Sequence, residues 1–312
     1  MPKNQLRRAS GERLAFAVDL GGTHLRVALV DESGKILQHL KQETPHGDSA
    51  DEIIDALVSA TEKWGCDHLP VVAASIMVPG AVDSDKAVVV QAPNLPSLLN
   101  FPLKTELQKR LGWPVFLEND ANAAAVGEMW LGAARGCSDL VSVTLGTGLG
   151  GGVILNGKLW RGSHGSAGEI GHTTVDPFSR LKCKCGNTGC LELFASATAI
   201  VRMARELGME MSSAEKVYEA GRTGDELALS VFNRFGMYLG IGLANLINLI
   251  DPQVIVISGG AVNGWSLFSD EMYRQVHERA FRATAQQVRI ARAECGDNAG
   301  LLGATRIALQ DS

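Results

Sequence analysis

Apolar positions along this chain recur in two rhythms. Short, nearly continuous apolar runs at 14–18, 26–30, 36–40, 71–78, 115–117, 139–145, 153–155, 254–258 and 288–291 predict buried strands. Between them the spacing opens to the three-and-four pattern of helices, over 53–64, 103–111, 121–131, 195–207, 214–220, 226–250, 267–283 and 299–309. Gly65 and Gly112 are placed to stop the first two helices, and Ser49 with Glu52 spells a capping box ahead of the first. Strands alternating with helices predict an α/β fold. At 312 residues the chain exceeds the usual size of one core, so two domains are expected.

Composition narrows the class. A hydrophobic content of 46% is enough to pack both cores, and a net charge of −5 argues against a binder of phosphate backbones, so nucleic acid is not expected as a partner. The basic opening MPKNQLRRASGER is not followed by the apolar stretch of a secretory signal. The longest nearly apolar run, 237–250, is too short for a bilayer and reads as a buried helix. Half of the six cysteines cluster at metal spacing, which fits a reducing compartment. A soluble, cytoplasmic protein with no membrane partner is therefore expected.

Candidate chemistry sits where strands end. Asp19-Leu20-Gly21-Gly22-Thr23 follows the first strand, and Gly146-Thr147-Gly148 opens a glycine-rich turn after the strand at 139–145. Glycines let backbone NH groups approach an anion and the threonines add hydroxyls, so both turns suit phosphate, while Asp19 suits Mg2+ or its water. Ordinary hairpins need such glycines as well. Gly259-Gly260 forms a third turn, open enough for a flat base or for tight strand-to-helix packing. Asp120 stands where a strand passes into a helix, a ligand-binding position in α/β folds and also a good N-cap position. The Asn94 amide, between two prolines, can meet a polyol or cap its own backbone.

The densest segment is SAGEIGH followed by CKCGNTGCLE. His172, Cys183, Cys185 and Cys190 are four ligands of the kind zinc prefers, and four protein ligands close a site, so a structural ion is expected. The alternative is three cysteines buried as small hydrophobes. Glu169 and Glu192 flank the segment, where a metal would draw them together, although Ser166 to Glu169 also spells a capping box.

Taken together, DLGGTHLR (19–26), LENDAN (117–122), LGTGLGGG (145–152), EIGH (169–172) and CKCGNTGCLE (183–192) resemble the ROK sugar kinases over essentially the whole length, and their glucokinase-like members most. The resemblance implies the actin-like ATPase fold of the ribonuclease H-like, hexokinase/actin superfamily. Two α/β domains would flank an interdomain cleft, a small one of residues 1–120 with 298–312 and a large one of 121–297 with the zinc loop. It further implies Asp120 as catalytic base and Asn94, Asn119, Asp120, Glu169, His172 and Glu192 as sugar ligands. Asp19, Gly21, Gly22, Thr23, Gly146, Thr147 and Gly148 would hold the phosphates and Mg2+ of ATP, with Gly259 and Gly260 against adenosine. His172, Cys183, Cys185 and Cys190 would hold Zn2+. Arg26 receives no role. The interval from His172 to Cys183 is one residue longer than the family's, and the Asn94 loop lacks its usual Gly-Trp. Glucose is the first expectation, with N-acetylmannosamine, mannose, allose and fructose as alternatives, and a homodimer or homotetramer as the assembly. The family's sugar-sensing repressors need a helix-turn-helix, for which the dozen or so residues before the first strand are too few.

Overall fold

The computed structural model describes residues 13–47, 49–83, 88–92 and 95–312, and the chain divides into two compact units. In the first, β1 (Leu14–Leu20) and β2 (His24–Asp31) form an antiparallel hairpin with Asp19 opposite Arg26. β3 (Ile36–Glu43) adds to the outside of β2, and α1 (Asp51–Trp64) leads to β4 (Val71–Val78), parallel to β1. A small ribbon of β5 (Ala81–Asp83) and β6 (Val88–Gln91) follows. Then come α2 (Leu103–Leu111), β7 (Val115–Asn119) parallel to β4, and α3 (Asp120–Leu131). The sheet order is β3-β2-β1-β4-β7.

Side chains on β1 alternate in size as well as in direction. Leu14, Phe16 and Val18 join the large apolar core with Ile53, Ile54 and Leu57 of α1 and Leu103 and Leu107 of α2, where the Phe16 ring lies 6.1 Å from Trp64 and 6.2 Å from Trp113. Ala15 faces the other way and clusters with Ala73 of β4, Ala308 and Leu309. Since successive strand residues point to opposite faces, the large/small alternation builds a thick core on one side and a shallow seat for a helix on the other.

Two of the local signals behave differently. Gly65 and Gly112 end their helices in the left-handed region, at φ 64° and 72°, as expected of C-cap glycines. The capping box at Ser49 does not form. Ala50 is the N-cap, already in helical backbone geometry, and the Ser49 hydroxyl instead accepts from Asp51 N at 3.1 Å and donates to the Asp51 carboxylate. An N-cap needs extended backbone to turn its oxygen toward the third NH, and the chain has turned helical too early for Ser49 to do so.

The second unit repeats the plan. β8 (Leu140–Leu145) and β9 (Leu149–Leu155) form an antiparallel hairpin, and β10 (Lys158–Leu159) adds to β9. After the cysteine segment come α4 (Ala197–Glu206), α5 (Ala214–Arg222) and α6 (Glu226–Ile250), capped by Ser196, Ser213 and Asp225. β11 (Val254–Ser258) runs parallel to β8, and α7 (Trp265–Arg279), α8 (Arg282–Ala285) and β12 (Arg289–Arg292) complete the unit. Its order is β10-β9-β8-β11-β12. Each sheet is thus an antiparallel hairpin, extended by a third strand on one side and by two parallel strands on the other.

The helix α6 has 25 residues, long and apolar enough for a membrane span by length and composition, although the apolar run alone looked too short. Val231, Phe235, Leu239 and Leu243 bury it instead in the second unit's core with Phe268 and Met272 of α7. The chain then returns to the first unit as α9 (Ala299–Asp311). α9 crosses α3 where Gly127 meets the carbonyl of Ala299 and Gly303 meets that of Ala123, and a Cβ on either glycine would collide with the facing backbone.

Candidate functional site

In the first unit the carboxyl ends of the parallel strands β1, β4 and β7 share one edge of the sheet, and the candidate residues of that unit gather there. The turn after β1 is held at both ends: Gly21 N donates to His24 O at 3.0 Å, and Thr44 donates through Oγ1 to Gly21 O at 2.6 Å and through N to Thr23 O at 3.0 Å. Asp19, one residue before the end of β1, pairs with Arg26 across the hairpin.

At the end of β7 the capping question is answered by a neighbour. The Asn119 side chain caps α3, with Oδ1 accepting from Ala121 N at 2.9 Å and Asn122 N at 3.1 Å, while its Nδ2 donates to Gly80 O at 2.8 Å. Asp120 is exposed, and its Oδ1 accepts from Ala121 N at 2.8 Å. Beneath them Glu118 is 3% exposed, and its Oε1 accepts from Asn119 N at 3.0 Å and Asn122 Nδ2 at 2.9 Å. Sequence reasoning missed Glu118 and Asn122. A buried carboxylate inside an apolar strand was the available signal, since a charge is retained there only when paired or hydrogen-bonded. Asn94 lies outside the described residues.

In the second unit the corresponding turn, Gly146–Gly148, joins β8 to β9 and closes on itself through Gly146 N to Gly148 O at 3.0 Å. The start of α4 grips it: Ala197 N donates to Gly146 O at 2.8 Å and Thr198 Oγ1 to Thr147 O at 2.7 Å. Glu192 completes the clamp. Its Oε2 accepts from Leu149 N at 2.9 Å and lies against Gly148, where a Cβ would collide with it.

Glu192 sits in a short 3-10 turn, Leu191–Leu193, whose N-cap is Cys190. Cys190, Cys183, Cys185 and His172 offer four ligand atoms that all lie within 4.8 Å of one another. Cys185 Sγ is 3.7 Å from Cys190 Sγ, and His172 Nδ1 is 3.5 Å from Cys183 Sγ. Burial pushes the Cys190 thiol up to about 12 and raises that of Cys183, whereas the Asn187 backbone NH beside Cys185 lowers its thiol. The other ring nitrogen of His172, Nε2, faces Glu169 Oε2 at 3.8 Å. Glu169 is the N-cap of the turn Ile170–His172 but makes no side-chain cap bond, so the capping-box alternative for this glutamate does not hold. The structure therefore brings Glu169, His172 and the cysteines together, with Glu192 two residues beyond Cys190.

The third glycine turn follows β11, and Gly260 lines a cavity of about 530 Å3 with Ala261, Asn263, Glu215, Tyr218 and Arg222. The helix α5 is divided. Val217 and Gly221 are buried, while Glu215, Tyr218, Glu219 and Arg222 share the opposite face at helical spacing and line the cavity. Their mixed polarity marks a helix with one wet face and says nothing of a cavity, which depends on the turn after β11.

Two five-stranded sheets of one topology, each with a glycine turn in its antiparallel hairpin, place the protein in the actin-like ATPase class. The chain belongs to the ROK family, whose profile matches residues 15–311. It is 36% identical over 307 residues to a glucokinase of Thermotoga maritima, covering 94% of this chain and 96% of the relative. A xylose repressor of Bacillus subtilis is 31% identical over 299 residues, covering 95% of this chain and 77% of the repressor. Among solved structures, a ROK family glucokinase from Streptomyces griseus in complex with glucose and AMPPNP superposes with a TM-score of 0.77 at 36% identity, covering 95% of this chain and 99% of that one.

Proposed function

We propose that the chain is an ATP-dependent sugar kinase and that its first substrate is glucose, converted with ATP to glucose 6-phosphate and ADP. The full-length likeness to glucokinases carries this reading, and the geometry of each unit supports it. Asn119 holds the NH groups of both Ala121 and Asn122, so Asp120, which shares only the first of them, is not the sole cap of α3. Its carboxylate serves as the general base, taking the proton of the sugar hydroxyl as that oxygen bonds to the γ-phosphorus and the bond to ADP breaks. Asn119 Nδ2 has a second hydrogen to offer the sugar beside the one given to Gly80. Glu169, His172 and Glu192 accept from or donate to the remaining hydroxyls, and Asn94 is proposed as a further contact.

Asp19, Gly21, Gly22 and Thr23 in one unit, and Gly146, Thr147 and Gly148 in the other, are the proposed phosphate and Mg2+ contacts, with Gly259 and Gly260 beside adenosine. When bound, Mg2+ neutralises charge on the β- and γ-phosphates. The Cys/His cluster fits Zn2+: tetrahedral Zn–S bonds of about 2.3 Å set sulfur-sulfur edges of about 3.8 Å, and Cys185 and Cys190 stand 3.7 Å apart. Such an ion would add no step to the reaction; held by His172, Cys183, Cys185 and Cys190, it would order the segment that carries Glu169 and Glu192. A cytoplasmic homodimer or homotetramer, free of nucleic acid and membrane, completes the reading.

The test is ADP release from MgATP with glucose, mannose, fructose, allose, N-acetylglucosamine and N-acetylmannosamine, against a blank without sugar. Glucose is expected to give the strongest signal. A different best sugar would keep the kinase and overturn the pocket reading. Likeness to a xylose repressor favours a second reading, a sugar sensor without turnover, and release no greater than the blank for every sugar would select it.

A further inference from the structure

Arg26 has no part in the reading above, yet its side chain is among the most committed in the first unit. It stands opposite Asp19 in the hairpin ladder. Its Nε donates to Asp19 Oδ2 at 2.8 Å, and Nη2 donates to the same oxygen. The remaining arm, Nη1, donates at 2.8 Å to the carbonyl of Asp297, in the turn Gly296–Asn298 just before α9. The two side chains are 25% and 19% exposed, so the pair is partly shielded from water. The other oxygen, Asp19 Oδ1, meets no donor among the described residues.

A lone aspartate at the end of a strand can rotate its carboxylate freely. Two NH groups of one rigid guanidinium converging on a single oxygen remove that freedom, and the third contact anchors the guanidinium to a different part of the chain. We propose that Arg26 is a positioning residue: it holds Asp19 by Oδ2 so that Oδ1 is presented to the divalent cation that accompanies the phosphate donor. This rests on the reading of Asp19 as a cation-site residue. The tie to Asp297 makes the orientation of Asp19 depend on where α9 begins.

The experiment compares wild type, R26M, R26K, D19N and the double variant R26M/D19N. Mn2+ serves as the probe, titrated by electron paramagnetic resonance in the presence of ADP, alongside glucose affinity by calorimetry and thermal unfolding. R26M is expected to weaken Mn2+ binding about tenfold, as loss of an outer-shell partner does, with glucose affinity unchanged. R26K keeps the charge and loses the fork; it should move Mn2+ binding the same way by less, and it carries the test should R26M not fold. On the D19N background R26M should have no further effect, because Arg26 acts through Asp19. A D19N deficit with wild-type Mn2+ affinity in R26M and R26K would overturn the proposal alone, and so would full additivity in the double variant. Unchanged Mn2+ binding in D19N would instead remove Asp19 from the cation site, and the proposal with it.

Discussion

Asn119 and Asp120 are neighbours of like shape that can both cap a helix; both accept from Ala121 N, and only the amide also takes Asn122 N. That makes a variant at Asp120 informative, because the Asn119 side chain continues to hold the Ala121 and Asn122 NH groups when the charge at 120 is removed. Asp120→Asn is expected to fold, to bind glucose within a few-fold of wild type, and to lose about 100- to 10,000-fold in turnover. Turnover near wild type would take Asp120 out of the mechanism. Cys66 offers a second residue-scale expectation. It is fully buried, and burial pushes its thiol up from 9.0 to about 12, with Asp67 adding to the shift. Below pH 9 the folded and unfolded chains both hold the proton and stability is untouched. Between 9 and about 12 the unfolded chain releases it while the folded chain keeps it, so stability falls as pH rises. Urea unfolding between pH 8 and 10.5 should therefore show wild type losing up to about 1.4 kcal/mol per pH unit more than Cys66→Ala once above pH 9. Parallel slopes would mean that the thiol titrates normally.

At the scale of elements, what was legible in the sequence was what local chemistry decides. Apolar runs marked the strands other than the short β5, β6 and β10, and Gly65 and Gly112 ended their helices because a left-handed residue was needed. The cysteine spacing marked a cluster that the fold does assemble. Contacts made at a distance were not legible: Glu192 spells only a carboxylate near cysteines, and its bond to Leu149 N depends on the 3-10 turn after Cys190 meeting the hairpin of β8 and β9. The Ser49 box failed because its pattern records residue types and not the backbone angle at Ala50. The Glu192 contact extends the cluster's reach. Cys185→Ser should lose one metal ion per chain by elemental analysis and, by loosening the turn that carries Glu192, speed hydrogen exchange at Gly146–Leu149 as well as at 170–194. Peptides from β1 and β4, in the other unit, should exchange as in wild type. Retained metal would remove Cys185 from the ligand set, and lost metal with an unmoved glycine turn would break the link through Glu192.

For the molecule as a whole, two sheets of identical strand order carry two glycine turns at equivalent hairpins. The repetition was visible in the sequence as two glycine-rich turns after apolar strands. The matching order of all ten strands was not, because β10 has only two residues and strand order is a property of long-range pairing. The first unit is also interrupted: its sheet is laid down early, but α9, which packs on Ala15 and Ala73 and crosses α3 at Gly127 and Gly303, comes after the entire second unit. During synthesis, at roughly 5–20 residues per second, that face waits roughly 12–47 seconds after β4 for its cover. A nascent chain halted before α9 would display the alanine seat of β1 and β4 and the glycine notch of α3 to chaperones and proteases, so the first unit is finished only once α9 has been made.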